Sequence, residues 1–377
     1  MILKLRHYPV YYILFFSLLF LFSADMTASV GQPDSLRTNV GDSLVRKSIY
    51  PPSATRKSNL YNRLWGEHYR SLYSVPITVP SVTLQTLWGG LKVVEQVADF
   101  QGLLLENNRQ QLCLLKPLGG YTTFIESEFF QEVYNKKVFK NTYLDQFIGD
   151  AYTIINPYTF ISSDYLARST GLSSNNSRIF YLPTHSTRDT VADGTPIENK
   201  LVSVIDVPDF NTRPNILLTE DLLDTLQVNN SYRVNQEFYI RERLFDMLIG
   251  DWNKIPENWN WMAHSGGDSL VFDPIVIDRN HAFTKVDGIL FKQMLHVLGL
   301  GFIVNYDASL KSVRKENTLG FSLDMALASQ SDVSVWIDQA RFIQRTLTDS
   351  VIGEAFSLLP KGVEGHEIER ISRIVKD

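Results

Sequence analysis

The sequence predicts a mixed α+β protein of two lobes, in which a β-rich N-terminal half precedes a mainly helical C-terminal half. The chain has 377 residues, 44% of them hydrophobic, which is enough for a large core in more than one lobe. Short β-branched and aromatic runs concentrate between residues 61 and 205. From residue 206 onward, apolar residues recur mostly at helical spacing. We therefore expect the lobes to be residues 61–205 and 206–377.

Residues 1–28 are predicted to be a signal peptide or an N-terminal anchor. Basic residues precede an apolar run from Tyr8 to Phe22, which is the order found in export signals. The two candidate cleavage points place Phe22 or Met26 where a small residue is preferred, so an uncleaved anchor stays open. The run is shorter than the roughly 20 residues that span a bilayer comfortably. We expect an exported protein of the periplasm or cell envelope that meets the membrane only through this segment, and only if it is uncleaved.

Charge and cysteine content exclude two classes of protein. The net charge is -5 and no run of five or more basic residues occurs, so we expect no nucleic-acid partner. Cys113 is the only cysteine, which excludes an intrachain disulfide. It lies within an apolar run, and this indicates a small buried hydrophobic side chain rather than a nucleophile.

The N-terminal half is expected to begin after a flexible linker, residues 29–60, which is rich in Ser, Thr, Pro and Asn. A turn at Asn107 and Asn108 joins the two strands of a predicted hairpin. Two amphipathic helices and two further strands follow. In chain order, the predicted elements are the strands 102–105 and 111–115, the helices 144–155 and 158–170, and the strands 178–182 and 200–205.

The C-terminal half contains one predicted helix that leads directly into an unusual loop. Apolar residues at helical spacing predict a helix from Gln236 to Leu248, which Gly250 ends. Residues 249–262 are then predicted to be a loop crowded with acids, amides and tryptophans. The segment from Leu270 to Asp278 is too β-branched and too short for a helix, and it predicts an extended segment or small hairpin.

Acids and amides cluster in and after this loop. The loop carries Asp251, Asn253 and Asn258, while Asp278 ends the extended segment and Asn280 follows it. Carboxylate and amide oxygens are the hard ligands that magnesium, manganese or calcium prefer. A loop base, a nearby amide and an acid at a strand end are also the parts with which a phosphoryl transferase holds metal and nucleotide phosphates. For any one of these positions, a cap or turn role on a solvated rim stays open.

Two blocks of sequence carry a resemblance to a known family. "RLFDMLIGDWNKIPENWNW" followed by "PIVIDRNHAF" resembles the helix, catalytic loop and metal-binding segment of the atypical secretory kinases. That group includes the Golgi casein kinase, the spore-coat kinases and, more distantly, the lipid kinases and HipA-type kinases. The chain is most similar to exported envelope proteins of Gram-negative bacteria whose loop reads GDWDRHEDQW, with PRDRDQAF following. The similarity covers roughly residues 61–377, and it implies a bilobal protein kinase-like fold.

The resemblance implies roles for five residues, with ATP and Mg²⁺ or Mn²⁺ as cofactors. Asp278 matches the acid that binds the metal, Asn258 matches the second metal ligand of the loop, and Asn280 occupies a position that is often acidic in relatives. Lys116 falls where such kinases place the lysine that grips the nucleotide phosphates. Asp150 matches a recurrent acid expected to pair with that lysine.

Two departures from the family pattern put phosphoryl transfer in doubt. Asn253 stands where relatives have the aspartate that accepts the substrate hydroxyl proton, and an amide has no useful basicity at neutral pH. Asp251 lies two residues upstream and could substitute only if the loop bends to bring it in. The glycine-rich turn expected over the phosphates is also missing, because residues 96–100 contain no glycine and Asp99 would repel a triphosphate.

Three classes of function follow from these residues. A pseudokinase would serve as a binding or scaffolding module for an envelope protein or glycan, and both departures favour it. An active phosphotransferase would use Asp251 and Asp278 and would need ATP, which is scarce outside the cytoplasm. A carbohydrate-binding or carbohydrate-active protein would use the loop tryptophans, with Asp251, Glu257 and Asp278 as paired carboxylates.

Overall fold

The computed structural model describes most of the chain, and the account below is confined to residues 43–97, 102–119, 142–184, 189–190, 196–207, 215–266, 269–276, 279–309, 313–329 and 331–377. The candidate metal ligand Asp278, the export segment at residues 1–28 and the acid Asp99 of the glycine-poor turn lie outside the described residues.

The described strands form two larger sheets and one short pair. In chain order they are β1 (Leu44–Lys47), β2 (Ile77–Pro80), β3 (Leu91–Val97), β4 (Gly102–Asn107), β5 (Leu112–Pro117), β6 (Arg178–Leu182), β7 (Lys200–Val207), β8 (Ile216–Leu218), β9 (Arg233–Val234), β10 (Trp259–Ser265) and β11 (Leu270–Val276).

The described helices are mostly short, and the longer ones lie in the C-terminal half. In chain order they are α1 (Pro52–Thr55), α2 (Asn59–Trp65), α3 (Tyr143–Ala151), α4 (Phe160–Ser169), α5 (Thr219–Val228), α6 (Gln236–Ile249), α7 (Ile289–Val297), α8 (Val313–Glu316), α9 (Phe321–Leu327), α10 (Val333–Thr346), α11 (Asp349–Ser357) and α12 (His366–Lys376).

The larger sheet has five antiparallel strands in the order β3-β4-β5-β7-β6. The predicted hairpin is confirmed as β4 and β5, and the two later strand predictions are confirmed as β6 and β7. Alternate residues of β4, β5 and β7 enter one hydrophobic cluster, as the period of a strand requires. Cys113 belongs to this cluster, and burial raises the pKa of its thiol to about 12. The cysteine is therefore a core residue, as its sequence context indicates.

Residues 43–60, which composition places in a linker, carry β1, α1 and the first two residues of α2. β1 pairs antiparallel with β2, so that Leu44 lies opposite Pro80. Tyr50 stacks on Tyr73 with 5.5 Å between the ring centroids. A polar composition does not exclude such a segment from the fold, because a few apolar side chains are enough to pack a short strand against a core.

The second sheet has the strand order β8-β10-β11-β9 and supports the loop after α6. The predicted extended segment is confirmed as β11, which pairs antiparallel with β10 and sets Trp259 opposite Val276. The predicted loop over residues 249–262 is too long, since Trp259 to Met262 belong to β10. The alternation of tryptophan with asparagine there has the period of a strand, and Trp259 and Trp261 both enter a buried cluster.

The helix predictions hold with shifted ends. α6 extends the predicted helix by one residue to Ile249, and α4 lies within the predicted range. The predicted helix 144–155 becomes α3 and a separate 3-10 turn, Tyr152–Ile154. The largest core joins side chains from both halves of the chain, among them Tyr158 and Ile352. The protein is therefore a mixed α+β structure, as predicted.

Within the described part of the chain, none of the helices combines the length and apolar character needed to cross a bilayer.

Candidate functional site

The candidate loop begins at a left-handed turn that ends α6. Gly250 has φ 64° and ψ 33°, a conformation that glycine adopts without steric cost. A Cβ atom at this position would lie 2.7 Å from Cδ2 of Tyr306. The backbone N–H of Asp251 then donates to the carbonyl oxygen of Asp246 at 2.9 Å, which folds the start of the loop back onto the helix.

Lys254 joins Asp246 of α6 and Asp251 of the loop in a buried charge cluster. Its Nζ donates to Oδ2 of Asp251 at 2.6 Å and lies 3.3 Å from Oδ1 of Asp246. Arg243 of α6 donates to the other oxygen of Asp246 at 3.1 Å. All four side chains are at least 96% buried. Burial raises the pKa of Asp246, and the charges of Lys254 and Arg243 oppose that rise.

Asn253 and Asn258 are also bound within the loop. The Nδ2 atom of Asn258 donates to the backbone oxygen of Asn253 at 2.6 Å. The side-chain amide of Asn253 lies 3.3 Å from Nδ1 of His281, and both residues are buried. The Oδ1 atom of Asn258 is the atom with the chemistry of a metal ligand.

The three tryptophans of the stretch pack inside the protein. Trp252, Trp259 and Trp261 are 4%, 1% and 0% exposed. The indole N–H of Trp252 donates to Oγ1 of Thr284 at 3.0 Å, while Trp259 stacks on Trp261 with 6.0 Å between the ring centroids. Their aromatic faces are therefore used by the core and are not available to a sugar ring.

Lys116 and Asn280, two of the residues singled out by the sequence, line the same pocket. Lys116 lies in β5 opposite Ser203 of β7 and is 6% exposed. The pocket is also lined by Asp164 of α4 and by Arg279. The charged lining is therefore mixed, with Lys116 and Arg279 beside Asp164, and Arg279 already has an internal partner.

Arg279 is fixed by a buried ion pair that joins the segment after β11 to α6. Its NH2 donates to Oε2 of Glu242 at 2.7 Å, and its NH1 donates to the backbone oxygen of Ser173 at 2.8 Å. Burial raises the pKa of Glu242, and the charge of Arg279 opposes that rise. Because Asn280 is the next residue, this pair holds it at the pocket.

Asp150 is bound by Arg70 rather than by Lys116. The Nε and NH2 atoms of Arg70 donate to the two carboxylate oxygens at 2.6 and 2.9 Å, and the hydroxyl of Tyr61 donates to one of them at 2.9 Å. The expected ion pair between Lys116 and Asp150 is therefore replaced by a bidentate contact with a guanidinium, which suits a carboxylate better than an ammonium does.

Asp164 is an acid of this pocket that the sequence pattern did not predict. It lines the pocket with Lys116, and its Oδ2 accepts a hydrogen bond from the backbone N–H of Ser177 at 3.0 Å. Burial raises the pKa of Asp164, and this hydrogen bond and the charge of Arg279 oppose the rise. A signal was present, because Asp164 falls between Phe160 and Ala167 on the apolar face of a predicted helix, where an acid needs a partner.

Metal-binding side chains do not cluster in the described residues. Among them, no group of three or more His, Cys, Asp or Glu side chains is placed to hold a metal ion. Asp278, the residue to which the resemblance gives the main ligand role, lies outside the described residues.

Comparison with known proteins gives distant likeness to solved structures and none in sequence. No protein-family model matches the chain, and no curated protein matches its sequence. Among solved structures, the chain is similar to the crystal structure of a Helicobacter pylori proinflammatory kinase, CtkA, at 12% sequence identity and a TM-score of 0.39. The match covers 76% of this chain and 90% of that chain. A likeness of this size carries no conclusion about the fold of this chain or about what it binds.

Proposed function

We propose that this chain is an exported, kinase-like pseudokinase that acts as a binding or scaffolding module in the cell envelope. Its partner is an envelope protein or a glycan. The observation that carries the proposal is the state of the candidate loop, where the position expected to hold the catalytic base is Asn253 and the neighbouring carboxylate of Asp251 is bound to Lys254 at 2.6 Å.

A general base must reach the proton that it accepts, within hydrogen-bond distance or through one water. Asp251 is 4% exposed, and Lys254 occupies its Oδ2. A substrate hydroxyl would have to displace this buried ammonium to reach that oxygen. Asn253 cannot take over, because its amide has no useful basicity. These contacts support loss of phosphoryl transfer.

The second candidate is an active ATP- and metal-dependent phosphotransferase that uses Asp251 and Asp278. The observation in its favour is that Lys116 and Asn280 line one pocket. The carbohydrate alternative has less support, because the three loop tryptophans are buried. Glu257 is exposed, and the contacts of the described residues pair it with no second acid.

The test is a transfer assay on the purified chain with labelled ATP, Mg²⁺ or Mn²⁺ and an envelope extract. We expect no labelled product above the level given by the Asp278→Ala variant, because no competent base faces a substrate. Glu257→Gln is the matched control, since it removes an exposed acid from the same loop. Transfer by the unmodified chain that survives Glu257→Gln and is lost in Asp251→Asn would establish the active enzyme instead.

Export is tested separately. We expect residues 1–28, fused to a reporter that is active only outside the cytoplasm, to give reporter activity. A reporter that stays inactive would remove the envelope from the proposal and leave the transfer result unaffected.

A further inference from the structure

The strand β3 forms an open edge of the five-stranded sheet. It is the outermost strand of the order β3-β4-β5-β7-β6, and within the described part of the chain only β4 pairs with it. The opposite edge is partly covered, because Ser81, which follows β2, forms a parallel bridge with Tyr181 of β6. An open edge presents a row of unpaired backbone N–H and C=O groups, on which another strand can pair.

β3 exposes apolar side chains at its centre. Val93 and Val94 are 36% and 53% exposed, and their neighbours Lys92, Glu95 and Gln96 are exposed as well. Native edge strands often carry charges or a bulge that oppose pairing with other chains. β3 has both, and their placement determines which partner strand this edge rejects and which it accepts.

The bulge in β3 places the two charged side chains on the same face of the sheet. Lys92 lies opposite Glu106 of β4. Glu95 lies opposite Leu104, because Val94 is an extra residue with no counterpart in β4. Glu106 and Leu104 are two positions apart and share a face, so Lys92 and Glu95 share that face too. In a regular strand, residues three positions apart would point to opposite faces.

The segment from Lys92 to Glu95 is complementary to a second copy of itself. In an antiparallel pair about a two-fold axis between the two valines, Lys92 of each copy lies opposite Glu95 of the other. Val93 of each copy then lies opposite Val94 of the other. Directly opposite side chains must share a face, and the bulge meets this condition for the charges. Neither Lys92 nor Glu95 forms an ion pair with another described residue, so both charges are available.

We propose that β3 pairs antiparallel with β3 of a second copy of this chain and joins the two sheets into one. The partner is selected by two symmetric pairs between Lys92 and Glu95, and the pairing covers Val93 and Val94. Strands this short bury less than the roughly 1,200 Å² of a standard interface, so the dimer forms at micromolar concentrations. It does not depend on whether the chain binds nucleotide or transfers phosphate.

The test measures self-association of the full chain by sedimentation equilibrium from about 1 to about 200 μM. We expect an equilibrium between monomer and dimer. Lys92→Glu sets two carboxylates opposite each other at both ends of the strand pair, and Glu95→Lys sets two ammonium groups there. Each single variant should therefore dimerise at least about fivefold more weakly than the unmodified chain.

A mixture of the two single variants separates this pairing from any other mode of association. In a mixed dimer, the acids of one copy meet the lysines of the other at both ends. The equimolar mixture should therefore dimerise about as well as the unmodified chain, although neither variant does so alone. The double variant Lys92→Glu/Glu95→Lys should recover in the same way, because it exchanges the charges within each pair.

Lys361→Glu is the matched control, because it reverses the charge of an exposed lysine outside β3. It should leave the dissociation constant of the dimer unchanged. Melting temperatures show that each variant is folded, as the exposure of Lys92 and Glu95 leads us to expect. A chain that stays monomeric over the whole concentration range would overturn the proposal. So would a dimer that neither single reversal weakens, or a mixture that associates no better than its two components.

Discussion

At the scale of single residues, Lys254 decides the chemistry of the candidate loop. It is 1% exposed and touches two carboxylates that lie five positions apart in sequence, Asp246 and Asp251. Buried ions of this kind contribute little net stability as a set, because desolvation offsets their attraction. Removing one partner is different, since it leaves the opposite charge buried and uncompensated.

The substitution Lys254→Met should therefore destabilise the protein by about 3–5 kcal/mol, as expected when one member of a buried ion pair is lost. Chemical denaturation of the variant and the unmodified chain measures this difference. Lys292→Met is the control, because Lys292 is exposed and its loss should change the free energy of unfolding by less than about 0.5 kcal/mol. Equal, small effects of the two substitutions would show that Lys254 is not the counter-charge of the cluster.

At the scale of elements, the turn between α6 and the loop depends on one glycine. The left-handed conformation of Gly250 reverses the chain, so that Asp251 returns to the end of α6. Tyr306 fills the space that a side chain at this position would need. Gly353 within α11 is different, because a Cβ atom at that position would have no neighbour within 4 Å.

Two substitutions of glycine by alanine should consequently have opposite effects. Gly250→Ala should lower the free energy of unfolding by about 1–2 kcal/mol from the left-handed backbone alone, with the contact to Tyr306 adding to the loss. Gly353→Ala should raise it by about 0.5–1 kcal/mol, because alanine is the better helix former in an open position. Thermal or denaturant unfolding measures both. A neutral Gly250→Ala would mean that the turn does not adopt this conformation.

Most of the helices and strands could be predicted from the sequence, because the patterns that mark them are local. The spacing of apolar residues around Leu244 marks α6, and the β-branched run around Val271 marks β11, because each pattern depends on neighbours within a few positions. β10 was missed because Asn260, between two tryptophans, gives it the composition of a loop. Its pairing with β8 and β11 depends on segments elsewhere in the chain.

At the scale of the whole molecule, a pair of residues far apart in sequence joins the two halves of the chain. Nδ1 of the buried His68, which follows α2, lies 2.5 Å from Oδ1 of Asp287, which precedes α7. The backbone N–H groups of Glu67 and His68 donate to the same carboxylate at 3.1 and 2.9 Å. Burial would raise the pKa of Asp287, but these hydrogen bonds and the charge of His68 outweigh it and lower the pKa to about 2.

This shift predicts how stability depends on pH. A carboxyl whose pKa is lower in the folded state than in the unfolded state stabilises the fold above its unfolded value of about 3.9. That contribution is lost as pH falls from about 5 to about 2. Since Asp287 is one-third exposed, we discount it to about 1–2 kcal/mol at neutral pH.

Unfolding of Asp287→Asn and of the unmodified chain should therefore be compared between pH 7 and pH 2. The free energies of unfolding of the two proteins should differ by about 1–2 kcal/mol at neutral pH and become equal in acid. Asp338→Asn removes an exposed carboxylate and should stay close to the unmodified chain throughout. A difference for Asp287→Asn that does not change with pH would rule out titration of this carboxyl as its cause.

The amino-acid sequence alone was enough to predict the mixed α+β class, most of the strands and helices, and the replacement of the expected base by Asn253. These follow from residue type and short-range periodicity, which do not require the fold. The ion pairs could be known only from the folded structure, which pairs Asp150 with Arg70 and Lys254 with Asp251. The fold also places Lys116 in two pockets, one shared with Asp164 and the other with Asn156. The contact of Asp150 with Arg70 and the shared pockets join segments distant in sequence, while the contact between Lys254 and Asp251, three residues apart, depends on how the loop folds. In each case a charged side chain takes the partner whose geometry and burial suit it once the chain has folded.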